Sequence, residues 1–255
     1  MGKIAIVTDS NSGITQAQAE ELGVYVIPMP FYINEKMYLE GVTLTQEEFY
    51  EKLKKDEPIS TSQPSPADLC DLWDKLLRDY EEIVHIPMSS GLSASCSTAM
   101  GLAIDYNGRV QVVDNQRISV TQRQSVMDAK MLAEAGKSAA EITAALEEVR
   151  PKVRASFVVD TLMYLYRGGR CNAVAAMAGS VLKLHPKIIV ENGAMDAAKK
   201  YRGKLHSVVM SYVRDMEANL KNARPERVFI THSGCDRKIV EDVQAYLQSP
   251  GIFQE

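Results

Sequence analysis

The sequence predicts an α/β fold: an N-terminal three-layer domain with a mostly parallel sheet, followed by a C-terminal α+β domain. Three observations carry this. Short apolar runs alternate with helix-length amphipathic stretches through the first half, the rhythm that builds a parallel sheet covered on both faces. Past Arg150-Pro151 the rhythm gives way to a hairpin signal flanked by helices. Finally, 255 residues suit two domains of ordinary size. The boundary is placed so that the domains span 1–152 and 153–255.

The elements follow in order. Residues 3–7 read as a strand, and the next helix opens on the capping pair Thr15 and Gln18 and stops at Gly23. A second strand covers 24–28, and a small hairpin turns around Asn34-Glu35-Lys36. Thr45 with Glu48 caps a helix that runs to about 55. Ser65 caps another, with Pro66 at its first position and Asp68 in its first turn. Strands at 83–88 and 110–114 are followed by helices over 93–106 and 119–135, and the helix 139–149 closes the first domain. In the second, a strand at 157–160 precedes a short helix ending at Gly168-Gly169 and an alanine-rich helix over 172–184. Asn192-Gly193 is the strongest hairpin signal in the chain, between 188–191 and 194–200. A helix over 204–221, a strand over 227–232 and a helix over 236–247 follow.

Composition narrows the function. An apolar content of 45%, a charged content of 24% and a formal charge of -4 describe a globular protein without the basic face that nucleic acid requires. No apolar run is long enough to span a bilayer, and the chain enters its first strand without a signal peptide, so a cytoplasmic protein is expected. Met1-Gly2 resembles a myristoylation start, but the sixth residue is Ile rather than Ser or Thr. Cys70, Cys96, Cys171 and Cys235 are far apart, as expected of reduced thiols, and the scattered histidines support no metal site. No cofactor is expected.

Ligands of open α/β sheets sit beyond the carboxyl ends of the strands. The segments there are rich in hydroxyls: Thr8-Asp9-Ser10-Asn11-Ser12, Ser89-Ser90-Gly91-Leu92-Ser93 and, ahead of a helix, Ser60-Thr61-Ser62-Gln63-Pro64-Ser65. Hydroxyls and exposed N–H groups at helix N-termini suit an anion such as a carboxylate or phosphate. Taken singly, each of these residues is equally a helix cap or turn residue, and Ser65 is assigned to capping. Gly91 reads as relief of backbone strain. His85 lies in an apolar strand and reads as core. The chain lacks a G-x-S-x-G elbow, a Walker loop and a G-x-G-x-x-G after a strand. Gly168-Gly169-Arg170 reads either as a helix C-cap with a surface arginine or as positive-φ glycines aiming a guanidinium at a carboxylate or phosphate.

Together these segments resemble the DegV family, bacterial fatty acid-binding proteins that act as the B subunit of fatty acid kinase. Val7-Thr8-Asp9-Ser10 resembles its opening strand and Thr61-Ser62-Gln63-Pro64-Ser65 its T-S-Q-P-S signature. Ser89-Ser90-Gly91-Leu92-Ser93 is similar to its S-S-x-L-S loop, Tyr164-Leu165 with Gly168-Gly169-Arg170 to its Y-L-x-x-G-G-R, and Asn192-Gly193 with Arg202 to its second-domain hairpin. The resemblance implies a long-chain fatty acid in a cleft between the domains. Its carboxylate would be held by Thr61 and Ser93, with Ser62 and Arg170 nearby. A separate ATP-using kinase subunit, docked near Arg202, would phosphorylate that carboxylate, and the acyl phosphate would feed phospholipid metabolism. The chain would thus be a carrier rather than an enzyme on its own, with no catalytic residue.

The chain departs from the family pattern at Ala94-Ser95, where Gly-Thr is usual, and at His185-Pro186, where Lys-Pro is common. Ile252-Phe253 reads as the start of a further strand, so the natural protein is expected to continue past Glu255, and the resemblance implies that the further strands carry a histidine near the carboxylate. From the residues alone, two alternatives stand: a small-molecule hydrolase or phosphotransferase using Ser93 or Asp9, and a lipid sensor without a kinase partner.

Overall fold

The computed structural model describes residues 3–153, 155–171, 184–218 and 228–248. They fall into two compact units. Residues up to 154 with Glu191–Ala194 form the first; Ala155–Val190 with the residues from Met195 onward form the second.

The first unit is built on a four-stranded parallel sheet in the order β2-β1-β6-β7, where β1 is Ile4–Asp9, β2 Tyr25–Ile27, β6 Glu82–Ile86 and β7 Val110–Val112. Side chains of a strand alternate between faces, and both faces of β1 are apolar. Ile6, with Val84 and Ile86, packs against helices α5 (Val120–Glu134) and α6 (Ala139–Val149) through Val126, Ile142 and Leu146. Ala5 and Val7, with Ile83, pack the other way onto α3 (Pro66–Leu76) and α4 (Ser95–Ala103) through Leu69, Trp73 and Ala99. A two-sided strand needs a helix layer on each face, and this is the three-layer domain expected.

The helices begin where local chemistry starts them. α1 (Gln16–Leu22) has the Thr15–Gln18 capping box and ends on Gly23 in the left-handed region. α2 (Gln46–Lys54) has the Thr45–Glu48 box. Ser65 caps α3, ahead of Pro66. Between β2 and α3 lies a second, antiparallel sheet, β4-β3-β5. Its hairpin of β3 (Pro30–Ile33) and β4 (Lys36–Leu39) turns on Asn34 and Glu35, both with positive φ. Its third strand, β5 (Ile59–Thr61), pairs Thr61 with Phe31 and Ile59 with Ile33. No strand is expected here from sequence, because three residues carry no periodicity; pairing with β3 makes them one.

In the second unit, β8 (Ala155–Val158), β9 (Leu184–Glu191) and β10 (Ala194–Arg202) form a sheet in the order β10-β9-β8, with β8 and β9 antiparallel. Asn192 and Gly193 turn the β9–β10 hairpin with φ of 50° and 80°. Helix α7 (Met163–Gly168) ends on Gly169 in the left-handed region. Helices α8 (Leu205–Ala218) and α9 (Arg237–Gln248) complete what is described. Residues 228–232, part of the strand read over 227–232, lie outside any strand. Phe229 and Ile230 there are exposed, and an apolar run becomes a strand only where another strand satisfies its backbone. The helix read over 172–184 lies outside the described residues apart from Leu184, which opens β9, and so does the strand start at Ile252-Phe253. No described helix is long and apolar enough to cross a membrane.

Within the first unit, His85 is 2% exposed and meets the edge of the Trp73 ring at 5.6 Å between centroids. Neither ring nitrogen has a hydrogen-bond partner among the described residues. Burial therefore disfavours the imidazolium and pulls the pKa from 6.5 down to about 3. The unfolded chain takes up this proton below about pH 6.5, the folded one only near 3. Stability from this group is thus complete above 6.5 and is lost towards 3, at about 1.4 kcal/mol per pH unit. We expect His85→Phe, which keeps a ring against Trp73, to lose that slope. Urea unfolding of both proteins from pH 7 to 4 should show the wild type's advantage shrinking as the pH falls; a constant difference would mean that native His85 takes up the proton as readily as the unfolded chain.

Candidate functional site

The carboxyl edge of the parallel sheet is organised by Asp9, the last residue of β1 and 1% exposed. Its Oδ2 accepts the Met88 N–H at 2.7 Å. Its Oδ1 accepts the Asn11 N–H at 3.0 Å, Asn11 Nδ2 at 3.1 Å and Gln122 Nε2 at 3.1 Å. Burial raises its pKa, and these donors oppose the rise. The same Gln122 amide also reaches Thr8 Oγ1 and the Ile86 carbonyl, so α5 is bolted to β1 and β6 where both strands end.

The other hydroxyls of the first segment are also committed. Thr8 Oγ1 donates to the Ile86 carbonyl at 2.7 Å and Ser12 Oγ to the Asp9 carbonyl at 2.8 Å. Ser10 Oγ donates to Glu40 and accepts the Met29 N–H. Thr8-Asp9-Ser10-Asn11-Ser12 is therefore a structural node. Asp9 in particular is 1% exposed and engaged by four donors, one on Oδ2 and three on Oδ1.

The second segment leaves β6 and turns back on itself. After Met88, the Ser89 N–H bonds the Arg117 carbonyl at 2.9 Å. The N–H and the hydroxyl of Ser90 both reach the Asp114 carboxylate, at 3.2 and 2.5 Å. Gly91 N–H bonds Ser89 Oγ at 3.2 Å, while Leu92 and Ser93 N–H bond the Ser89 carbonyl at 3.0 and 3.1 Å. The main-chain N–H groups from 88 to 93 are thus consumed within the fold, so the exposed amides expected here are not available to an anion. Ser93 is different. It is half-buried, and its Oγ accepts the Ser95 N–H at 3.2 Å. A hydroxyl has one donor and two acceptor positions, so among the described residues Ser93 still has its proton to give.

The T-S-Q-P-S segment is brought to α4, the helix that follows this loop. Thr98 of α4 donates to Gln63 Oε1 at 3.2 Å, and Pro64 lines a water-sized cavity of about 10 Å³ together with Asp9, His85, Ser95 and Thr98. Thr61 and Ser62 are exposed. Ser62 is fixed by its N–H on the Pro30 carbonyl at 3.1 Å. A larger cavity of about 610 Å³ lies against the same segment, walled by Val26, Ile27, Pro30, Leu39 and Leu72 with Ser62 at its edge. This volume is in the range of small-molecule sites.

In the second unit, only Gly169 of the Gly168-Gly169 pair has positive φ, and it serves as the C-cap of α7. Arg170 and Arg202 are exposed. Arg170 Nη1 turns back to the Gly168 carbonyl at 2.5 Å, the geometry of an arginine satisfying a helix end. Sequence reading missed the buried Arg117 beside these loops. Cys96 is fully buried, with its thiol pushed up to about 12 by burial, then by Asp114 and Asp9. Arg117 is 4% exposed and holds Ser125 Oγ and the Val149 carbonyl. Arg117 belongs to no local motif that could have flagged it. Among the described residues no group of His, Cys, Asp and Glu could hold a metal ion.

Comparison with known proteins places this geometry in a family. A family model described as "Uncharacterised protein, DegV family" matches residues 3–252. Protein DegV of Bacillus subtilis is 31% identical, covering 95% of this chain and 88% of its own. Among solved structures, a fatty-acid-binding DegV family protein from Thermus thermophilus is 30% identical, with a TM-score of 0.85 over 99% of this chain and 90% of its own. DegV from Bacillus subtilis, described as a fatty acid binding protein, is 29% identical, with a TM-score of 0.82 over 98% of this chain and 90% of its own. The chain belongs to the DegV family.

Proposed function

We propose that this chain binds a long-chain fatty acid and presents its carboxylate to a separate ATP-using kinase subunit, which forms the acyl phosphate. Thr61 and Ser93 hold the carboxylate, Ser62 stands beside them, and Arg170 supplies the neutralising charge. The observation that carries this is the convergence of the T-S-Q-P-S segment on the start of α4, directly after Ser93. Structures of two similar proteins are described as fatty acid binding. The T-S-Q-P-S segment also borders a cavity lined by Val26, Ile27, Leu39 and Leu72 together with Gln63, Ser65 and Asp68, so polar and hydrocarbon contacts are available side by side.

The chain has no phosphate-binding glycine loop in its sequence, which is why the phosphoryl donor is assigned to another subunit. Arg202 is proposed as part of the surface that meets that subunit or its phosphates. On this reading the chain works as a carrier inside the cell, and the acyl phosphate passes to phospholipid metabolism.

Mass spectrometry of the small molecules that copurify with the protein tests the ligand directly and should find long-chain fatty acid. Each methylene buried in an apolar site contributes about 0.8 kcal/mol, so two more carbons should raise affinity about tenfold until the site is full, and then affinity should drop. A profile flat in chain length would remove the apolar site. Thr61→Ala and Ser93→Ala should each weaken binding about tenfold or more, because a hydrogen bond to a charged group contributes about 1.5–3 kcal/mol. Full affinity in the double variant would mean the carboxylate is held elsewhere. Arg202→Ala should keep fatty acid affinity while lowering acyl-phosphate formation with the kinase; equal loss of both would make Arg202 a ligand residue.

A further inference from the structure

Resting on the fatty-acid reading, we propose that Ser89 and Gly91 are positioning residues for the carboxylate, locking the Ser93-bearing loop onto the Asn192-Gly193 turn. Ser89 is the pivot. It is fully buried, and its Oγ donates to the Gly193 carbonyl at 2.6 Å while accepting the Gly91 N–H at 3.2 Å. Its own carbonyl receives the N–H of Ser93 at 3.1 Å. The residue that grips the turn is therefore the one that sets the height of Ser93.

The two glycines make the grip possible from both sides. A Cβ on Gly91 would stand 2.6 Å from the Gly193 oxygen and 2.9 Å from its carbonyl carbon. Both are backbone atoms, which cannot yield as a side-chain tip can. A Cβ on Gly193 would stand 2.6 Å from Ser89 Oγ and 3.1 Å from Gln116, at a φ of +80° that disfavours any side chain. Gly91 is thus required for close approach and not for its own φ, since it is absent from the positive-φ positions. Glu191–Ala194 belongs to the first compact unit, so the lock is part of that unit's own packing.

A displaced lock should move the Ser93 hydroxyl and leave hydrocarbon contacts largely alone, which makes carboxylate discrimination the readout. Binding of a long-chain saturated acid and of its methyl ester would be measured by displacement of a fluorescent fatty acid. In Gly91→Ala we expect acid affinity to fall about tenfold or more, as for loss of a bond to a charged group, with the ester within about threefold of wild type. Ser89→Ala, which removes only a hydroxyl, should change the acid-to-ester ratio in the same direction and decides the matter if Gly91→Ala does not fold. An unchanged ratio in the variants overturns the proposal, and so does an equal loss for acid and ester, which would mark a purely structural role. A wild-type protein that binds acid and ester alike would instead overturn the carboxylate reading itself.

Discussion

The carboxyl edge of the central sheet depends on one buried carboxylate. An ionised group taken out of water is tolerated only where hydrogen bonds replace the water it has lost. Asp9 obtains them from the main chain of the loop after β6, from Asn11 in its own loop and from Gln122 of α5. Three parts of the chain distant in sequence therefore have to meet at one side chain. The Met88 N–H bond fixes where the second loop begins, and everything from Ser89 to the first turn of α4 is placed relative to that point. The Ser93 hydroxyl is thereby held at a defined height, accepting the Ser95 N–H while its own proton is not used by the described residues.

That framework explains why hydroxyls rather than amides face outward. A helix N-terminus with free N–H groups attracts any anion, phosphate included. Here the N–H groups from Met88 to Ser93 close upon Asp9, Arg117, Asp114 and Ser89. What remains among the described residues is the O–H proton of Ser93 and the exposed hydroxyl of Thr61, since Ser62 Oγ donates to the Gln63 carbonyl at 3.1 Å. A few directed donors next to apolar walls suit a ligand that is mostly hydrocarbon with one polar end, because the hydrocarbon supplies the affinity and the donors need only orient it. His85 stays neutral in the core, with no hydrogen-bond partner among the described residues.

Much of the scaffold was legible because its signals are local. Thr15 with Gln18, Thr45 with Glu48, and Ser65 ahead of Pro66 act within one helical turn, and each caps the helix it announced. Asn192-Gly193 turned a hairpin as its composition required. Non-local pairing was not legible: β5 exists because Phe31 and Ile33 lie opposite it, and residues 228–232 pair with no strand among the described residues. In the site, sequence reading grouped the hydroxyl-rich segments by composition. The structure separates them by hydrogen bonding, with Thr8, Ser10 and Ser12 committed to the fold and Ser93 keeping its proton. Composition cannot make that division, since it depends on which distant carbonyl or amide each hydroxyl meets.

Glycine shows the same limit from the other side. Gly169 and Gly193 are readable in principle, because a positive φ belongs to the residue itself and to the turn or cap it forms. Gly91 is not. Its missing side chain leaves room for the backbone of a residue about a hundred positions later, and nothing in its immediate neighbours announces that approach. A glycine that serves an approach rather than a dihedral marks a place where two distant segments must touch. Here that place is the loop that carries Ser93, so the freedom of a flexible polar loop is removed by packing at its midpoint while its last hydroxyl remains open.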